Sequence, residues 1–414
     1  MIPARRLAEN GGDTYIYTML DSRAQSEAGD AGAGLARLAV TRLSLTDFRC
    51  YPSARLDLDP RPVVLTGPNG AGKTNLLEAV SFLAPGRGLR RSRLSEIDRR
   101  RLRAETAEGP WTVSASVETP QGEVRIGTGR DAASESGERR LVRIDGAPAK
   151  SQAALASYVN LVWLTPQMDR LFLEGASARR RFLDRLVFGF DPDHAGRVAA
   201  YEHAMRERNR LLRNGPADAS WLGALEDGMA RHGVAIAAAR RDTAERLDAA
   251  AAEGVGPFPR PRLTLAGTVE TWLDEGAPAL AVEDRLRERL AAARRQDAES
   301  GTTAAGPHRT DLLVEHGGTG MAAGHCSTGE QKALLIAILL AHARLQTDLH
   351  GAPPLMLLDE VAAHLDAQRR AALFGEIEAM AAQAWLTGTD ESLFAPLDGK
   401  AQFFGVVDAI VTRH

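Results

Sequence analysis

The stretch "VVLTGPNGAGKTNLLEA", Val63 to Ala79, carries the reading of the fold. It passes from a short apolar run, through a turn dense in glycine, into a segment with helical spacing of apolar residues. Gly67, Gly72, Lys73 and Thr74 match G-x-x-x-x-G-K-[ST], and the pattern has the strand before it and the helix after it that the motif requires. The chemistry explains the residue types. Glycines let the backbone wrap phosphates, and N–H groups at the helix N-terminus face the anion. A lysine reaches the outer phosphates and a hydroxyl ligates Mg²⁺. Gly67, Pro68, Asn69, Gly70, Ala71, Gly72, Lys73 and Thr74 are therefore the candidate nucleotide-binding residues, with ATP and Mg²⁺ as the implied ligands. A chance match at a glycine-rich turn would not bring both flanking elements.

Phosphoryl transfer also needs an acidic residue at the end of another buried strand. "PPLMLLDEVAAHLD", Pro353 to Asp366, supplies it as Leu355 to Leu358 followed by Asp359 and Glu360. Asp359 would share the Mg²⁺ with Thr74, and Glu360 would polarise the attacking water as the catalytic residue.

Around these motifs the chain alternates. "LARLAVTRLSLTDF", "ARLDLDPRPVVLTG", "WTVSASVET", "GEVRIGTG" and "LVRIDGAPA" show period-two or continuous apolar character, broken by Gly, Pro and Asp turns. They predict sheet strands. "DHAGRVAAYEHAMRERNRLLRN" and "WLGALEDGMARHGVAIAAARRDTAERLDAAAA" predict long helices, with Leu222, Leu225, Met229 and Ile236 on one face and Tyr201 and Met205 on another. Strand character returns at "RLTLAG". The expected organisation is an extension over 1–34 without regular structure, an ATPase lobe over 35–176, a helical arm over 177–305, and the rest of the lobe over 306–414. Met19 is a possible alternative start. The fold class is α/β, mixed sheets around a phosphate-loop core with an inserted helical arm.

Composition narrows the classes. At 414 residues and 44% hydrophobic content the chain can bury a substantial core, and 51 basic against 54 acidic residues leaves a net charge of −3. That balance neither requires nor excludes nucleic acid. Cys50 and Cys326 lack zinc-site spacing, which fits a reducing, cytoplasmic setting. The longest apolar run, Ala333 to Ala341, is far short of the roughly 20 residues that span a bilayer, so it predicts a buried helix and no membrane partner. It follows "HCSTGE", in which Ser327 and Glu330 stand at capping-box spacing.

The order of motifs resembles the ABC-type ATPase superfamily: a phosphate loop, a helical insertion, "STGEQ" in the place of the signature, then "LLDE" and "AHLD". Within it the match is closest to the RecF family of bacterial recombination mediators, related to SMC heads. It is carried by "LTDFRCY", "GPNGAGKTNLLEAV", "LAPGRGLR", "TPQMDRLFLEGASARRRFLD", "GPHRTDL", "STGEQKALL" and "LLDEVAAHLDAQRR". The resemblance implies that Gln167 is the Q-loop residue near Mg²⁺, that Ser327 and Gly329 act in trans on the other protomer's nucleotide, and that Asp366 is the D-loop aspartate. It also implies an ATP-dependent homodimer with weak, DNA-stimulated ATPase activity. Such a clamp would work at single-strand/double-strand junctions with RecR and RecO, help load RecA and support the SOS response. Two positions depart from family patterns. Thr389 stands where many transporter ATPases have His, and Gln167 where RecF-like sequences often have an acid.

Arginine clusters supply candidate phosphate contacts: Arg87, Arg90, Arg91 and Arg93; Arg99, Arg100, Arg101 and Arg103; Arg179, Arg180, Arg181 and Arg185; Arg206, Arg208, Arg210 and Arg213. Arg87, Arg90, Arg91, Arg179 and Arg180 are the leading DNA candidates. With no aromatic run among them, backbone contacts to duplex or junction DNA are expected rather than base stacking. The competing readings are a structural DNA-binding protein with a vestigial nucleotide site, and another soluble ATPase of the same superfamily.

Overall fold

The computed structural model describes residues 36–99, 110–134, 138–214 and 218–414. The extension over 1–34 and Arg100, Arg101 and Arg103 lie outside them. β1 (Ala39–Phe48) and β2 (Tyr51–Asp57) alternate buried and exposed side chains and pair as a hairpin turning at Arg49 and Cys50. β3 (Val63–Thr66) is buried at every position and leads through the phosphate loop into α1 (Lys73–Ser81). β4 (Thr112–Thr119), β5 (Gly122–Arg130), β6 (Arg140–Ile144) and β7 (Ala147–Pro148) complete an antiparallel sheet of order β2-β1-β4-β5-β6-β7. Alternation suits it, because one face packs on the core and the other meets water.

After β8 (Leu161–Leu164) come α2 (Ala176–Phe188), α3 (His194–Arg213) and α4 (Ala219–Glu253). β9 (Pro261–Ala266), α5 (Thr268–Asp274), α6 (Ala279–Ala292) and α7 (Arg294–Ser300) follow. β10 (Asp311–His316) pairs with β9 and with β11 (Met321–Ala322) in a small antiparallel sheet. Then α8 (Thr328–His350), β12 (Leu355–Leu358), α9 (Ala367–Ala379), β13 (Ala384–Gly388), β14 (Gln402–Val407) and β15 (Ile410–Arg413) close the chain. The second large sheet has the order β15-β14-β3-β13-β12-β8, parallel except for β15.

Both faces of that parallel sheet are covered, which is why its strands read as continuous apolar runs. Along β12, Met356 and Leu358 pack into the core that holds α8, while Leu355 and Leu357 pack into the core shared by α1 and the antiparallel sheet. Phe48, Phe82 and Trp111 meet edge-on or tilted in the second core. The parallel arrangement brings the C-terminal ends of β3, β12 and β13 to one edge, the usual ligand edge of such sheets.

Tyr201, Met229, Ile236, Leu286 and Leu290 form a separate core among α3, α4 and α6, with Leu225 and Met205 partly buried against it. One expectation fails here. Arg208 does not face solvent for a DNA phosphate. It is fully buried, donates to Glu226 at 2.9 Å and to Asp297 at 2.7 Å, and caps the Leu290 carbonyl. A buried guanidinium demands such partners, and its helical spacing put it on the α3 face turned inward.

Two buried histidines make stability depend on pH. His342, on α8, donates Nε2–H to the Leu186 carbonyl, and His308 donates Nε2–H to the Thr303 carbonyl while accepting from the Tyr201 hydroxyl. Burial, opposed by those hydrogen bonds and aided by nearby arginines, lowers both from 6.5 to about 4. Between those values the unfolded chain holds more protons, so stability is complete above pH 6.5 and falls as pH drops towards 4. By pH 5 each histidine should cost about 2 kcal/mol. Urea melts at pH 7 and pH 5 check this: the pH 5 loss should shrink in His342→Gln measured against its own pH 7 value. An equal loss in that variant would contradict it.

Candidate functional site

The phosphate loop is shaped by its glycines. Gly67 (φ 146°) and Gly72 (φ 117°) both lie in the left-handed half of the map. A Cβ on Gly67 would sit 2.1 Å from the Val406 carbonyl oxygen, and one on Gly72 would strike Tyr51 and Cys50. The first glycine lets the loop pass β14, and the second lets it pass the β1–β2 hairpin. Pro68, Asn69 and Gly70 form the exposed rim, whereas Ala71, Gly72 and Lys73 are buried. The turn is tied down from the far side, where Ala409 N–H donates to the Ala71 carbonyl at 3.2 Å. Gly72, the N-cap of α1, offers no side chain to the first-turn N–H groups, which leaves that helix end suited to an anion.

Lys73 reaches back over the loop and donates to the Gly67 and Pro68 carbonyls at 2.7 and 2.9 Å. Burial lowers its pKa, while the carboxylates of Glu360 and Asp359 pull it up. The cation thus lies close to both acids at the end of β12. Thr74 donates its hydroxyl to both oxygens of Asp359, at 3.0 and 3.1 Å. A hydroxyl and a carboxylate in this contact are the hard oxygen donors that suit Mg²⁺.

A residue the sequence reasoning missed completes the constellation. Thr387, buried on β13, donates to Asp359 Oδ1 at 2.8 Å and accepts the Glu360 backbone N–H at 2.8 Å. Glu360 sits at φ 53°, an uncommon conformation for a residue with a side chain, and the Thr387 hydroxyl holds it there. The parallel pairing of β12 and β13, with Leu358 opposite Leu386, creates this juxtaposition. Thr389, the switch position read from the sequence, lies exposed just beyond the strand.

Gln167 lies in a short 3₁₀ turn, Pro166–Arg170, directly after β8. That strand's last residue, Leu164, accepts the Asp359 N–H at 2.9 Å, so the turn begins beside the acidic strand end. Gln167 itself is exposed, and among the described residues its side chain has no hydrogen bond. Lys332 on α8 pairs with Asp169 of the same turn at 3.3 Å. Ser327 and Gly329 open α8, away from any hydrogen bond to the phosphate loop. The capping box is present: Ser327 N–H donates to Glu330 Oε2 at 2.9 Å, and Glu330 N–H donates to Ser327 Oγ at 3.3 Å. Ser327, Thr328 and Gly329 are exposed, while Ala333 to Ala341 behind them are buried. Asp366 caps α9, its carboxylate accepting the Arg369 N–H at 2.8 Å.

Residues 39–408 match the family described as RecF/RecN/SMC N terminal domain. The DNA replication and repair protein RecF of Rhizobium etli is 49% identical over 377 residues, spanning 91% of this chain and 99% of that relative. RecF of Mesorhizobium japonicum is 50% identical over 374 residues, spanning 90% of this chain and 97% of that relative. This chain belongs to the RecF family of DNA replication and repair proteins. A solved structure of the recombination mediator protein RecF in the RecFOR pathway, RecF-ATPrS, shares its fold with a TM-score of 0.79 at 22% identity, covering 92% of this chain and all of that one. An SMC head domain from Pyrococcus furiosus shares the fold more distantly, with a TM-score of 0.53 at 16% identity over 91% of this chain and 96% of that one.

The arginines of this RecF-family chain divide by what holds them. Arg90 donates to Asn75 at 2.7 Å and to Glu78 at 3.0 Å, and Arg49 donates to Glu78 at 2.7 and 2.9 Å. Glu78 is fully buried, so this pairing ties the Arg87–Arg93 loop to the flank of α1. Arg140, its pKa pushed down to about 9 by burial, clamps the loop's start by donating to the Phe82, Ala84 and Gly86 carbonyls. Arg87, Arg91 and Arg93 project as exposed residues from the loop. Arg179 is committed to Asp311 through two bonds at 2.7 and 2.8 Å, and Arg180 donates to the Thr310 carbonyl at 2.7 Å. Arg185 stacks on Trp163 and Phe182 rather than facing solvent. "LTDFRCY" was the signal for Arg49 and Cys50, whose partners no spacing argument could name.

Proposed function

We propose that this chain is an ATP-dependent DNA-binding protein of recombinational repair and replication restart that uses slow, DNA-stimulated ATP hydrolysis as a switch. The observation that carries the reading is the cluster of Lys73, Thr74, Asp359, Glu360 and Thr387 at one sheet edge. A vestigial site would have no reason to keep both acids, the lysine and the hydroxyls together at one strand end. The Gly67–Thr74 loop binds the ATP phosphates. Thr74 and Asp359, with Gln167, are the residues that would hold Mg²⁺, which would supply charge neutralisation at the phosphates. Glu360 orients water, and its φ is set by Thr387.

The exposed, capped start of α8 points the same way for assembly. Ser327 and Gly329 close on the phosphates of a second copy's nucleotide, and Asp366 lies at that seam, giving a self-complementary homodimer that ATP holds together. Residues 35–176 and 306–414 act as the ATPase lobe and 177–305 as the arm. The RecFOR setting of the solved RecF relative supports RecR and RecO as partners in helping RecA load at gaps and junctions in the cytoplasm, with a link to the SOS response. Among the described residues no helix is long and apolar enough to cross a membrane.

Fluorescence anisotropy with a gapped duplex tests the DNA half of this proposal. Affinity should be higher with ATP than with ADP, and should fall by about a hundredfold between roughly 50 and 200 mM salt if about four phosphates are contacted. Binding that ignores both nucleotide and salt would overturn it.

A further inference from the structure

At the foot of the arm a cleft of about 430 Å³ opens between the start of α2, the face of α3 and the "GPHR" turn. Ser177, Arg180, Arg181, Asn209, His308 and Arg309 are among its lining residues. Its charge is lopsided. The two lining carboxylates already have cations: Asp184 takes both arms of Arg240, at 2.7 and 2.9 Å, and Glu202 pairs with Arg206 at 3.6 Å. Among the described residues the Arg180 side chain donates only to the Thr310 carbonyl and that of Arg309 only to the Thr303 carbonyl. Arg181 is exposed and makes no side-chain hydrogen bond or ion pair among the described residues. Three guanidinium groups therefore face one cleft, and among the described residues none of them forms an ion pair; the carboxylates that attract Arg180, those of Asp311 and Asp184, are bound to Arg179 and Arg240. Burial, with repulsion from Arg240 and Arg181, outweighs the opposing pull of Asp311 and Asp184 and holds Arg180 below its usual pKa. The neutral His308, fixed by Tyr201 and Thr303, keeps the floor in place without adding charge.

Unpaired guanidinium groups clustered at a rigid, partly buried cleft are the donors that phosphate oxygens satisfy best. The start of α2, whose N-cap Gly175 contributes no side-chain acceptor, adds the favourable end of a helix dipole at Ser177. We propose that this cleft is a second phosphate site, separate from the Gly67–Thr74 loop, and that it seats a phosphodiester of the DNA backbone at the base of the arm. The assignment rests on the DNA-binding reading above. It shifts the contact from Arg179, committed to Asp311, to Arg181 with Arg180 and Arg309.

The test uses the full chain with ATP and a gapped duplex in a salt series. Arg181→Glu should weaken binding by about tenfold and reduce the slope of log affinity against log salt by about one, and Arg181→Lys should restore most of it. Arg295→Glu, an equal charge change on an arm residue outside the cleft that is 93% exposed, controls for net charge. Wild-type binding that Arg181→Glu leaves untouched, or that Arg295→Glu weakens equally, overturns the cleft while leaving the DNA reading intact. Failure of the wild type to bind DNA at all would overturn both. A second arm titrates inorganic pyrophosphate against the ATP-filled chain. Saturable binding lost in Arg181→Glu, with DNA affinity unchanged, would assign the cleft to a free anion and overturn the backbone assignment.

Discussion

Glu360→Gln is expected to leave ATP binding in place and to lower phosphate release by about a hundredfold or more, the size of effect typical of losing a water-orienting carboxylate. The substitution keeps shape and hydrogen-bonding capacity but removes the negative charge. The Glu360 backbone is held at φ 53° by its N–H donation to Thr387, and neither partner of that bond is altered. The Lys73 contacts to Gly67 and Pro68 are also untouched, so the phosphate loop stays formed. Phosphate release measured beside binding of a fluorescent ATP analogue separates the two effects. Because hydrolysis ends the ATP state, DNA complexes of the variant should outlive those of the wild type. Turnover within about twofold of wild type would instead indicate that Glu360 orients nothing, and would favour a structural DNA-binding protein with a vestigial site.

How far the sequence revealed this site depended on whether the chemistry was local. The phosphate loop was legible because its eight positions are consecutive and its glycines mark a local backbone of positive φ at Gly67 and Gly72, although the neighbours that bar a Cβ there, Val406, Tyr51 and Cys50, come from other parts of the chain. Asp359 and Glu360 were legible because an acid after four buried apolar residues marks the end of a parallel strand. The capping box was legible because both partners sit on one turn of one helix. Thr387 was not, since its role arises only when β13 pairs beside β12, a contact between residues 28 positions apart. Thr389 drew attention in its place, two residues along the same segment, because a superfamily position fixes a place in the chain and not a direction in space.

The arginines show the same limit more sharply. A run such as Arg179–Arg180–Arg181 gives three equal charges to the reader, yet the helix sends one to Asp311, one to a carbonyl and one to solvent. Arg208 resembled its neighbours on α3 until its burial against Glu226 and Asp297 appeared. Charge counting locates basic segments; only packing tells which guanidinium groups still have donors to offer.

Ser327→Arg is expected to abolish the ATP-dependent dimer while leaving each protomer able to bind ATP. The exposed start of α8 is open at Gly329, where, apart from its own helix backbone and chain neighbours, no atom of the described residues lies within 4 Å of an added Cβ, and it makes no hydrogen bond with the phosphate loop of its own chain. Ser327 is exposed, so a large side chain there can extend away from its own protomer and would obstruct a close face-to-face contact. Loss of the cap alone should cost about 1 kcal/mol of stability, and Ser327→Ala measures that part separately. The self-complementary arrangement doubles the effect, because each closed dimer uses two copies of the seam. It also supplies a stringent check by mixing. A Ser327→Arg protomer keeps an intact phosphate loop, and a Lys73→Ala protomer keeps an intact α8 start. Neither should dimerise alone by light scattering with ATP, yet the mixture can form one complete composite site and should recover part of the dimer and part of the ATP-enhanced DNA affinity. A Ser327→Arg protein that still dimerises with ATP would remove the trans role of Ser327 and Gly329, and α8 would then begin with a helix cap and nothing more.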